Sequence, residues 1–181
     1  MSLTLAQLNS SDRASFTAEL GHLFEHSPWV AEETWDRRLG RRSLGEAGSF
    51  RDAAQLHAEL CLTMRQASPE RQLALIRAHP DLAGRLAQQR QLTPESTREQ
   101  ASAGLDRMSA EEMAAFQKLN DEYRRKFGFP FIICARLNAR ADILRAMQTR
   151  MHHTPAAEHD AALAEIEKIA WLRLQDTLRT E

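Results

Sequence analysis

Apolar positions along this chain recur at spacings of three and four rather than two. From Thr154-Pro155 onward, Leu163, Ile166, Ala170, Leu174 and Leu178 fall on one stripe of a helix of roughly six turns. Phe16, Leu20, Leu23 and Phe24 form a shorter stripe behind Ser10 or Ser11, and the Leu73-Ala74-Leu75-Ile76-Arg77-Ala78 run follows Ser68-Pro69. Thr93-Pro94 opens a segment with Glu95 in its first turn, and Ser109 has Glu112 three residues on, a capping-box pattern. Pro28-Trp29-Val30-Ala31-Glu32-Glu33-Thr34-Trp35 reads as a helix anchored by its two tryptophans. Runs of β-branched residues are very short, and seven glycines and six prolines leave long stretches uninterrupted. The pattern predicts an all-α fold, a single-domain bundle over 1–181 of roughly seven to nine helices with no sheet. Two places punctuate it. Residues 37–49 hold three glycines and four arginines and are expected to form a long mobile loop. Basic residues followed by Gly128 mark a helix end, after which Pro130 is expected to open a new helix.

Length and charge narrow the class. A chain of 181 residues buries a substantial core without disulfides or metals. Its 24 basic and 25 acidic side chains nearly cancel, so no overall field draws it to nucleic acid or to an anionic membrane, and only residues 37–42 cluster basic charge. Cys61 and Cys134 are far apart, with no CxxC pattern, and read as reduced core thiols. The first residues lack a basic stretch followed by an apolar one, the last three lack a peroxisomal address, and no segment has the roughly 20 apolar residues needed to span a bilayer. A cytoplasmic protein is expected.

Three features carry candidate chemistry. His79-Pro80-Asp81-Leu82-Ala83 places an imidazole where proline stops a helix, and an unperturbed pKa of roughly 6.5 suits histidine to either acid or base work. Stabilisation of a helix C-terminus by His79 accounts for the same placement. Ser96 and Glu99 share a helix face; they are either a capping box or a hydroxyl and a carboxylate turned toward a cleft near His79. Phe127-Gly128-Phe129-Pro130-Phe131 is either ordinary core or the wall of a pocket whose backbone N–H groups bind oxygen, with Arg136 about one and a half turns into the new helix. His152-His153 and His159 complete no zinc signature, so no metal is expected.

Taken in order, Glu25-His26-Ser27-Pro28-Trp29-Val30-Ala31-Glu32, His79-Pro80-Asp81-Leu82-Ala83, Ser96-x-x-Glu99-Gln100 with Ala103-Gly104-Leu105, and Phe127-Gly128-Phe129-Pro130-Phe131 resemble the 2-oxo-4-hydroxy-4-carboxy-5-ureidoimidazoline (OHCU) decarboxylase family of urate breakdown. The likeness runs from about Leu8 to Leu178, and the combination is specific although each piece alone is not. It implies an all-helical enzyme, working without cofactor or metal, that decarboxylates the product of 5-hydroxyisourate hydrolysis to (S)-allantoin. It further implies a homodimer and functional coupling to 5-hydroxyisourate hydrolase. Carried over residue by residue, it makes His79 the catalytic imidazole and Glu99 its acidic partner. Pro80, Ser96, Gln100, Arg136 and the Phe129, Phe131, Ile132 and Ile133 stretch would bind the substrate. Where many members have an Arg-Pro-Phe-like segment after Trp35, this chain reads Arg37-Arg38-Leu39-Gly40-Arg41-Arg42, so no role carries over to that stretch. The competing class is a non-catalytic helical module that receives a partner through the Phe-rich turn.

Overall fold

In a computed structural model, which describes residues 3–43, 48–84 and 92–178, the described residues form nine α-helices and no sheet. The helices are α1 Leu5–Ser10, α2 Arg13–Leu20, α3 Trp29–Ser43, α4 Ala53–Gln66, α5 Pro69–Ala78, α6 Pro94–Ser102, α7 Ala110–Phe127, α8 Arg140–Arg150 and α9 Pro155–Thr177. Contacts group the chain into two compact units, divided inside α5 after Leu75 and inside α9 after Ile166. No helix among the described residues is long and apolar enough to cross a membrane.

The first unit comprises the described residues of 1–75 and 167–181. Thr4 and Gln7 form a reciprocal capping box on α1. That short helix takes up Ser10 and Ser11, so the cap of α2 is Asp12, which accepts from the Ser15 N–H at 2.7 Å, rather than either serine. Helix α3 packs against α2 and α4. Phe16, Leu20, Trp35, Phe50, Leu56 and Leu60 fill the space between, with the Phe16 ring 5.3 Å from Trp35 and 6.0 Å from Phe50.

The expected loop at 37–49 is instead helical as far as Ser43; residues 44–47 lie outside the described residues. Buried Arg38 explains the override of the local glycine signal. Its guanidinium lies 4.5 Å from the Trp35 ring centroid and donates to the Asn9 and Gly48 carbonyls, contacts that offset the roughly 1 kcal/mol cost of Gly40 in a helix. In the same unit Arg173 and Glu25 form a buried ion pair at 3.0 Å, and Leu178, just past the end of α9, makes an isolated parallel bridge with Leu3.

The second unit, Ile76–Ile166, holds every residue singled out for chemistry. Ser109 and Glu112 cap α7 reciprocally, as their spacing predicts. Gly128 ends that helix in the left-handed region (φ 78°) and donates to the Arg124 carbonyl at 2.8 Å. No helix starts at Pro130. Residues 130–134 are irregular and buried, leading into a single 3-10 turn, Ala135–Leu137. The adjacent β-branched Ile132 and Ile133 disfavour helix. Side chains from α8 and α9 also satisfy backbone groups of this stretch that a helix would otherwise pair, as described below.

Candidate active site

The C-terminal turn of α5 presents His79, which is buried and whose backbone N–H reaches the Ile76 carbonyl at 3.2 Å. Pro80 stops the helix there, and the chain turns through Asp81 to Gly84. Ala83 takes φ 50°, a left-handed conformation unfavourable for a residue with a Cβ. At Gly84 an added Cβ would lie 2.6 Å from that of Asp81, so the turn has no room for a side chain.

Two buried amides hold this strained turn. Gln100 of α6 accepts from the Ala83 N–H at 2.9 Å and donates to the Asp81 carbonyl at 3.3 Å; Asn120 of α7 donates to the Leu82 carbonyl at 2.9 Å. The Arg124 Nε adds contacts to both Asp81 carboxylate oxygens, at 2.8 and 3.0 Å. A hollow of about 340 Å³ opens beside the turn, lined by His79, Pro80, Arg77, Asp81, Asp121 and Arg124 among others.

Helix α6 carries the second candidate set. Thr93, not Ser96, is its N-cap, accepting from the Ser96 N–H at 3.3 Å. Ser96 is therefore one turn inside the helix and buried, and Glu99 is half-buried one turn further on. The capping-box reading of Ser96 and Glu99 fails, because the cap is Thr93. Helix α6 packs on the 3-10 turn that carries Arg136. Burial raises the Cys134 thiol pKa, and the carboxylates of Glu165 and Glu99 raise it further, which puts Glu99 within electrostatic reach of the irregular stretch.

The structure thus links the His79 turn to α6, and α6 to the Arg136 turn. Yet Glu99 and Arg136 line neither the hollow beside His79 nor a second one of about 280 Å³ that Gln100 shares with Ala83, Leu92, Leu105 and Met113. Arg136 sits on the exposed side of its turn, not inside a helix.

The aromatic turn proves to be core. The Tyr123 ring lies 4.6 Å from Phe127, 6.3 Å from Phe129 and 5.2 Å from Phe131, and all four are buried. Rings packed this way cannot receive a partner helix, which removes the basis for the adaptor reading. What remains of the candidate site there is backbone. The Ile132 carbonyl accepts from Arg150 Nη1 at 2.8 Å and the Cys134 N–H donates to Glu165 Oε2 at 2.8 Å. Sequence reasoning missed Asn120, Arg150, Glu158 and Glu165. The available signal was polar residues at helical spacing, Glu158 and Glu165 lying two turns apart beside the apolar stripe of α9.

The sequence profile of the OHCU decarboxylase family matches residues 9–175. The chain belongs to the OHCU decarboxylase family. A 2-oxo-4-hydroxy-4-carboxy-5-ureidoimidazoline decarboxylase from Halalkalicoccus jeotgali is 40% identical over 174 residues, 96% of this chain and 91% of the relative. One from Haloferax volcanii is 38% identical over 179 residues, 99% of this chain and 98% of the relative. A crystal structure of (S)-allantoin synthase superimposes with a TM-score of 0.76 at 30% identity over 98% of this chain, which spans 54% of that longer chain. The family match takes in both compact units and all ten candidate site residues.

Proposed function

We propose that this chain is a carboxy-lyase that converts OHCU to (S)-allantoin in urate degradation, with His79 as general acid/base and Glu99 as its carboxylate partner. Family membership supports the reaction, and one observation supports the residue roles: the amide of Gln100, next in sequence to Glu99, bonds the turn that begins at His79. Gln100 then serves the site by holding that turn, while Ser96, Arg136, Pro80 and the backbone at 129–133 face the substrate's polar edges.

The chemistry asks for proton handling. The bond from the ring carbon to the carboxylate breaks, carbon dioxide leaves, and the electron pair enters the ring as an enolate-type anion. Donors that meet the developing negative charge lower the barrier, and a proton returned to carbon from one face fixes the hand of the product. His79, paired with Glu99, manages the proton of the substrate hydroxyl, while backbone donors near Phe131 hold the adjacent oxygen. The substrate's conjugated ring accepts the electron pair, so the step calls on no cofactor. In this reading a 5-hydroxyisourate hydrolase supplies the substrate and the enzyme is a homodimer. The free Cys61 and Cys134 thiols fit a cytoplasmic location.

Circular dichroism of 5-hydroxyisourate freshly generated with its hydrolase tests the reaction, because spontaneous decay gives racemic allantoin and the enzyme gives one enantiomer. His79→Asn is expected to lose about 10²- to 10⁴-fold in kcat with the helical fold retained. Retained activity removes His79 from the mechanism.

A further inference from the structure

The unit Ile76–Ile166 contains a buried ionic cluster that the reaction as described does not use. Glu158, in the first turn of α9, is fully buried, and Arg150, at the end of α8, is 11% exposed. Arg150 Nε donates to Glu158 Oε1 at 2.9 Å, and its Nη2 reaches the same oxygen. The Tyr123 hydroxyl also bonds Glu158 Oε1, and His153 Nδ1 lies 2.8 Å from Oε2. Burial raises the pKa of the Glu158 carboxyl to about 8; burial also lowers that of the Arg150 guanidinium, to about 10, against the pull of the Glu165 carboxylate. Such a pair is weak evidence of stabilisation, since an apolar pair of similar volume often serves as well or better.

The cluster makes one connection to backbone in the candidate site. Arg150 Nη1 donates to the Ile132 carbonyl at 2.8 Å while the guanidinium lies 4.5 Å from the Phe131 ring centroid. In a planar trans peptide the C=O of residue 132 and the N–H of residue 133 point in opposite directions. Fixing the Ile132 carbonyl on Arg150 therefore aims the Ile133 N–H the other way. Two residues on, the Cys134 N–H is held by Glu165, seven residues after Glu158 and on the same face of α9. The peptide between residues 132 and 133 is thus gripped from its carbonyl side, with the next peptide fixed as well. Among the described residues the Ile133 N–H meets no acceptor.

We infer that Arg150, seated on Glu158, is a positioning residue that aims the Ile133 N–H at the oxygen on which the substrate's negative charge develops. The inference rests on the decarboxylase reading above. Arg150 itself touches no substrate. Its planar fork bonds the carbonyl and the carboxylate together, a geometry that lysine reproduces only in part. The effect belongs in kcat more than in KM, because a donor aimed at developing charge binds the transition state better than the ground state.

Arg150→Gln, Arg150→Lys and Glu158→Gln would be compared with wild type by steady-state kinetics, by the enantiomeric excess of the allantoin formed, and by the amide shift of Ile133. The shift is read in ¹⁵N-isoleucine-labelled protein on adding (S)-allantoin, with Ile133→Val giving the assignment. Arg150→Gln is expected to lower kcat about 10- to 100-fold with a smaller change in KM, to let the racemic background show, and to lose the Ile133 shift. Arg150→Lys should recover part of the rate, and Glu158→Gln should fall between the two. If Arg150→Gln does not fold, Glu158→Gln, which keeps an acceptor for Arg150, carries the same readouts. A folded Arg150→Gln with wild-type kcat and an unchanged Ile133 shift overturns the positioning role alone. A wild type that makes no excess of (S)-allantoin and shows no Ile133 shift overturns the decarboxylase reading with it.

Discussion

Two turns of the second unit, His79–Gly84 and Gly128–Cys134, are both irregular and both leave their backbone to be satisfied by side chains. They are held by different chemistry. The first is bonded mainly by the neutral amides of Gln100 and Asn120, which meet three backbone groups of the strained turn. The second is bonded by charges, Arg150 on the Ile132 carbonyl and Glu165 on the Cys134 N–H, with Glu158 buried behind Arg150. An amide supplies donor and acceptor together with no ion to desolvate. A charged anchor gives stronger, shorter bonds, but each ion must keep its partner. The difference is one of failure: the amide-held turn loosens when one bond is lost, whereas the charge-held stretch loses an ion pair.

The largest expected effect follows from breaking the ionic anchor. Glu158→Leu leaves Arg150 buried without its carboxylate and is expected to destabilise the protein by about 3–5 kcal/mol, read as a lower midpoint in urea denaturation. A loss below 1 kcal/mol would mean that the ion pair does not hold this stretch. Asn120→Leu tests the other turn. It removes the donor to the buried Leu82 carbonyl and should cost about 1–3 kcal/mol, with a fall in kcat because the turn carries His79. Stability unchanged in this variant would leave Gln100 as the sufficient clamp. Ser109→Ala, in the capping box of α7 and outside both turns, should lower stability by about 1 kcal/mol in thermal melts and leave kcat/KM untouched. An equal loss of activity there would mean that rigidity in general, and not the two anchors, sets the rate.

The smallest effect is with acid and lies outside both turns. Asp12 and Asp52 cap α2 and α4, and bonds from the Ser15 and Gln55 N–H groups hold their pKa values below the usual 3.8. A carboxylate with a lowered folded pKa adds stability that is fully present above its unfolded pKa and is lost as pH falls through the folded one. Melting temperature should therefore drop more slowly below pH 3.8 in a double Asp12→Asn, Asp52→Asn variant than in wild type. Parallel curves would show that other carboxylates govern acid unfolding.

Much of the fold was legible in the sequence because its signals were local. Thr93 and Ser109 cap their helices, Gly128 ends α7, and Leu163, Ile166, Ala170 and Leu174 are buried along α9. The cap of α2 was missed because the short helix α1 takes up Ser10 and Ser11, and two larger errors came where a distant partner overrode a local preference. Gly40 did not break α3 because Arg38 is buried against Trp35, and Pro130 did not start a helix because Arg150 and Glu165 engage the backbone that follows. For the candidate site the sequence named the residue types, and the resemblance gave them roles, but neither distinguished side chains that face a ligand from those that hold the backbone. Gln100, expected at the substrate, is bonded to the turn, and Phe129 and Phe131, readable as either core or pocket wall, are buried in the core.

By itself the sequence determined helix periodicity, caps and stops, and the presence of a histidine at a helix end, since each depends on residues within about one turn of one another. Only the tertiary structure decided which buried polar groups pair across 17, 38 or 18 residues of chain, as in Ala83 with Gln100, Leu82 with Asn120 and Ile132 with Arg150. The physical reason is that a buried backbone group must be hydrogen-bonded, but any donor the fold brings near can meet that need.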